Sequence, residues 1–182
     1  MNLMHPYSLS VLGLVLLLGG CVSTPCDPSL SDSPCHAERL LRQNDMLQAK
    51  MIIASGDLDN YDLAQALLDR MAGQDTAGEV DFYQALLLIH QGPQVSEVLD
   101  LLERSAAAGH PHATALLYKI QAEPYLLAEA DPGQAQVYRA AYADLDVAKS
   151  GYPSFDQALQ LVNRLVVAAL QPTNPIGQAV RD

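Results

Sequence analysis

The chain has 182 residues, with 21 Asp+Glu against 10 Lys+Arg, a formal net charge of −11 and no Trp. That balance makes nucleic acid and anionic headgroups poor partners, since both favour a basic surface. It favours a basic partner electrostatically, although a solvated surface needs no more explanation than solubility. The length suits one domain.

The first 20 residues form a signal-like segment. "VLGLVLLLGG", Val11 to Gly20, is an apolar run closing on small residues, the pattern of a secretory h-region. It falls short of the ~20 apolar residues that a spanning helix needs. The preceding "MNLMHPYS" departs from the usual pattern in having no Lys or Arg.

The run ends in "LGGC", Leu18 to Cys21, which resembles the lipobox of bacterial lipoproteins. The resemblance implies that Cys21 carries the lipid, palmitate among its acyl chains, and becomes the mature first residue. Each buried methylene contributes ~0.8 kcal/mol, so several chains hold a protein at a membrane where one would not. Val22 after the cysteine, rather than Asp, implies the periplasmic face of the outer membrane. Cys26 and Cys35 then remain as an even pair bounding "CDPSLSDSPC", and an oxidising periplasm makes them a candidate disulfide. Two sulfurs alone are too few for a zinc site. The expected organisation is a signal peptide at 1–20, a tether at 21–35, a helical domain at 36–171 and a mobile tail at 172–182.

From Ser33 onward the periodicity is helical. In "SPCHAERLLRQNDMLQAKMIIAS", Ser33 and Pro34 give an N-cap and first-turn proline. Leu40, Asn44, Leu47, Met51 and Ala54 recur at helical spacing, which predicts a buried face there. A second helix opens at Asn60, with Leu63, Leu67 and Met71 as its stripe and Gly73 as its stop. Thr76 and Glu79 have capping-box spacing before a third, which buries Val80, Tyr83, Leu86 and Leu87 and stops at Gly92. The fourth runs from Pro93 to Gly109, and the fifth starts with Pro111 near its first turn.

After a looser piece, "EPYLLAEADPG", a sixth helix ends at Gly151. The seventh opens with a capping box of Ser154 and Gln157 and stops at Pro172. The expected fold is all-α, about seven helices in stacked antiparallel hairpins forming a short α-solenoid.

"LLDR" at Leu67 to Arg70 recurs as "LLER" at Leu101 to Arg104, and "AAAGHPHATALL" from Ala106 is echoed by "AKSGYPSFDQAL" from Ala148. This period and these glycine turns, Gly73, Gly109 and Gly151, resemble tetratricopeptide and Sel-one-like repeats, most closely across Ala85 to Ile120. The resemblance implies a protein-binding stack. It places His110 and His112 in a turn between helices, aligned with Tyr152 and Ser154, which reads as structure rather than a metal site.

No "GxSxG", "HExxH" or phosphate-binding glycine loop occurs. "GDLDNYD", Gly56 to Asp62, fails as a calcium loop because Tyr61 stands at the fifth position and no glycine at the sixth. Neither an enzyme activity, a catalytic residue, a cofactor nor a metal is expected. The sequence points to a lipid-anchored periplasmic lipoprotein that binds another protein, as a scaffold or accessory factor of an envelope machine such as secretion, pilus or polysaccharide export. The alternative is an immunity protein that inhibits a delivered toxin.

Overall fold

A computed structural model describes residues 34–92 and 94–168. The expected signal peptide, Cys21, Cys26 and the tail at 172–182 lie outside the described residues. Cys35, at the start of the first helix, is disulfide-bonded. Contacts divide the chain into units of 1–38 and 39–182, and the hydrophobic core belongs to the second.

The fold is all-α. The elements are α1 (Pro34–Ser55), a 3-10 turn (Leu58–Asn60), α2 (Tyr61–Asp69), α3 (Glu79–Gln91), α4 (Val95–Ala107), α5 (Pro111–Ala122), α6 (Pro132–Asp144), α7 (Asp146–Ser150) and α8 (Phe155–Ala168). Eight α-helices thus stand among the described residues where seven were expected. The extra one arises because Leu145, at φ −67 and ψ 145, interrupts the sixth helix. The break turns both Leu145 and Ala148 onto the core. No helix among the described residues is long and apolar enough to cross a membrane.

α5 is the central helix. It is buried at five consecutive positions, Ala113 to Leu117, because α4, α6 and α8 all pack on it. A helix surrounded by neighbours needs small or apolar residues all round, and this one has them. α4 shows the simpler case: Val98, Leu101, Leu102 and Ser105 form one buried stripe at helical spacing. α8 adds Ala158, Val162 and Val166 to the same core.

The helix ends follow from short-range chemistry. At the end of α4, Gly109 takes φ +87, His110 N–H donates to Ser105 O at 3.1 Å, and Gly109 N–H donates to Ala106 O at 2.9 Å. This is a Schellman motif, in which a left-handed residue satisfies the last carbonyls. Gly73 and Gly151 also have φ of +80. Asp131 caps α6 by accepting from Gln134 N–H at 2.9 Å, ahead of Pro132. Ser154 and Gln157 form the expected reciprocal box, with Ser154 N–H to Gln157 Oε1 at 2.9 Å and Gln157 N–H to Ser154 Oγ at 3.3 Å. Ser154→Ala should therefore cost about 1 kcal/mol, read as a drop in thermal midpoint of a few degrees.

Four further expectations need correction. The capping box of Thr76 and Glu79 does not form. α3 starts at Glu79, and Asp75 instead accepts from Val80 N–H at 2.7 Å and Ala77 N–H at 2.9 Å. Gly78, at φ +71, bends the chain so that Asp75 reaches the helix start first. On α2, Leu63 is exposed, and the buried set is Tyr61, Ala64, Leu67 and Leu68.

The third correction is the largest. Leu40, Asn44, Leu47, Met51 and Ala54 all face solvent. α1 instead docks through Asp45, Met46, Ala49 and Ile53. Ala49 is small enough to let the helices approach, and Asp45 is neutralised by Arg70 at 2.8 Å. A charged residue in the docking stripe is what concealed it from a hydrophobic count. The aligned turns also differ. α5 is capped at His110, whereas α8 is capped at Ser154, two positions later than the alignment with Tyr152 requires. The cis Tyr152–Pro153 bond lies between.

Candidate functional site

The inner edge of α1 and the segment joining α2 to α3 enclose an open cleft of about 420 Å³. α1 supplies Arg42, Gln43, Met46, Leu47 and Lys50, and the opposite wall is Met71, Gln74, Asp75, Glu79 and Val80. The apolar lining is therefore Met46, Leu47, Met71 and Val80. Two methionines make such a lining adaptable, because the unbranched thioether chain repacks readily.

One ion pair crosses the cleft, Lys50 to Glu79, both in its lining. Asp45 binds Arg70 outside the lining and ties α1 to the residue after α2. The Lys50 ammonium also lies 5.3 Å from the centre of the Tyr83 ring. Burial, with the nearby Glu79 carboxylate, pushes the Tyr83 hydroxyl up to about 12, so it stays protonated. Asp75 is held by the backbone N–H groups of Ala77 and of Val80 in the first turn of α3. These carboxylates thus position helices.

Behind the cleft an aromatic layer joins α3 to α5. The Phe82 ring lies 4.7 Å from that of His110, 6.0 Å from that of His112 and 5.1 Å from that of Tyr83. His110 caps α5 through Nδ1, which accepts from Ala113 N–H at 3.3 Å. Burial lowers the His110 pKa to about 4, helped by His112 and Lys50 and opposed by Asp75. Burial also lowers His112, with Lys50 assisting and Glu79 opposing. Both rings are neutral at pH 7, and their work is capping and stacking. No group of three or more His, Cys, Asp or Glu among the described residues is arranged to hold a metal ion. Asp57, from the calcium-like loop, accepts from Asn60 Nδ2 at 2.6 Å.

His90 is isolated in the sequence, and its partners appear only in the fold. Its Nε2 lies 2.9 Å from Leu165 O, a carbonyl that can only accept. The proton therefore sits on Nε2, and Nδ1 accepts from Tyr61 O–H. One imidazole thus ties α2, α3 and α8 together. Burial lowers its pKa, which preserves the neutral form this bridge needs. The partners come from residues 61 and 165, so no local signal identified it.

No protein-family model, curated protein sequence or solved structure matches this chain.

Proposed function

We propose that this chain is a lipid-anchored periplasmic lipoprotein that binds another protein as a scaffold or accessory factor of an envelope machine. The cleft between α1 and the α2–α3 segment carries the reading. A Met-lined apolar strip beside the Lys50–Glu79 pair suits an apolar side chain of a protein partner. The "LGGC" segment supports anchorage through Cys21, and the resemblance of Ala85 to Ile120 to Sel-one-like repeats supports protein binding. The net charge of −11 also suits a basic toxin, which is the observation behind the inhibitor reading.

The test is crosslinking in intact cells of the source organism, followed by mass spectrometry of what co-purifies. An envelope-machine component should be captured by the native chain. Capture should fall several-fold with Gln74→Trp, an exposed rim position where an indole fills the cleft. Cys21→Ala should move the chain from the membrane to the soluble fraction. Undiminished capture by the Trp variant would place the partner elsewhere. A single toxin in one-to-one complex would decide for the inhibitor.

A further inference from the structure

We propose that the solvent face of α1 is the seam of a parallel two-stranded coiled coil with a second copy of this chain. Leu40, Asn44, Leu47, Met51 and Ala54 are separated by four, three, four and three residues, which is the d-a-d-a-d order of a heptad. All five are exposed, with Leu47 at 56% and Met51 at 64%. Met46, Ala49 and Ile53 point to the other side of the same helix and hold it on the core. α1 is thus apolar on two opposite faces, and only one is covered. A helix that needed a single docking face would carry polar residues at Leu40, Leu47 and Met51, as it does at Asn44.

The choice of a second copy over another occupant rests on charge and on Asn44. The chain is strongly acidic, yet Asp45 is the only carboxylate between Leu40 and Ala54. It is on the docking side, paired with Arg70. The flanking positions are Leu41, Gln43, Gln48 and Lys50, and Lys50 is drawn back to Glu79. Two copies therefore meet without like charges, whereas a basic partner would find no carboxylate to pair with.

Asn44 occupies an a position between two d-position leucines. In a parallel, in-register pair it meets its own counterpart and the two amides bond. In an antiparallel pair it would be buried against an apolar side chain, so it selects the parallel form. Leucine at d also suits two strands.

The seam is short. Five positions on each helix fall well below the roughly 20–30 residues a side of a standard interface. Two features offset this. α1 is already folded on its own core, so association orders little further chain. A parallel pair also brings both amino-terminal ends to one side, where a shared membrane surface would raise the local concentration. The membrane argument rests on the anchorage proposed above, and Leu47 is shared with the rim of the cleft, whereas the heptad and Asn44 stand without either.

The experiment is disulfide crosslinking of the full chain in its native membrane with copper phenanthroline, read on non-reducing gels with mass spectrometry of each band. Met51→Cys, at the other a position, keeps Asn44 and should give a homodimer band that neither the unsubstituted chain nor Gln160→Cys, exposed on α8, produces. Adding Leu47→Glu should cut that band by about tenfold or more, because two carboxylates then face each other across a d layer. Circular dichroism of each variant should show unchanged helicity. No homodimer from a helical Met51→Cys chain would overturn the proposal. So would a bond to the chain's own cysteines, a crosslink to a different protein, or a band indifferent to Leu47→Glu.

Discussion

Gly78→Ala should destabilise the protein by about 3 kcal/mol, while Gly109→Ala costs about 1 kcal/mol. Both glycines have positive φ, +71 at Gly78 and +87 at Gly109. An L-residue pays for that conformation at either site. The surroundings separate them. A Cβ on Gly109 would meet nothing within 4 Å. A Cβ on Gly78 would lie 2.7 Å from Ser105 O, 2.8 Å from Ser105 Cα and 3.0 Å from Ala108 Cβ. Two of those atoms are backbone of the last turn of α4, which cannot rotate aside.

Ser105 is itself fully buried and donates from Oγ to Gly78 O at 2.6 Å, so moving α4 away also breaks that bond. Urea unfolding of the two variants beside the native chain measures the difference. Equal losses would show that α4 gives way freely and that the close approach is not required.

The same pair of glycines shows what sequence could reveal. Gly73, Gly109 and Gly151 stood out because each follows a run of helical periodicity. Gly78 follows no such run, and what makes it necessary is a backbone some 27 residues away. The capping box at Ser154 and Gln157 was legible because every atom involved lies within four residues. The His90 bridge was not, since Leu165 is 75 residues distant. α1 lies between these cases. Its heptad is plain in the sequence and fixes a helical face. Which of two faces meets the core depended on Asp45 finding Arg70, and pattern alone assigned the wrong one. The cleft shares that origin, because its two walls come from α1 and from residues 71–80.

Acid should weaken the fold between pH 6.5 and about pH 4, and His110→Asn should remove part of that loss. Above pH 6.5 the ring is neutral in both the folded and the unfolded chain. Below it, the unfolded chain takes up a proton that the folded chain refuses until about pH 4. Stability therefore falls as pH drops through that window. A gap of about 2.5 pH units corresponds to at most about 3 kcal/mol for His110 alone.

His90 and His112 are lowered in the same direction and add to the loss. For His90 the chief cause is burial of the charged ring, and a protonated Nδ1 no longer accepts from the Tyr61 hydroxyl, which would have to turn and accept instead. A second effect opposes these three. Acidification discharges carboxylates and relieves the self-repulsion of a chain at −11. The pH dependence of the native chain alone mixes the two, and a comparison separates them.

Asparagine accepts through Oδ1 as an N-cap and does not titrate, so His110→Asn keeps the α5 cap and removes the proton site. Urea unfolding at pH 7.0, 5.5 and 4.0 should show the variant's stability advantage growing as pH falls. A difference that stays constant across those values would mean that His110 is protonated as readily in the folded chain as in the unfolded one. In that case the Phe82 layer would not exclude water from the ring.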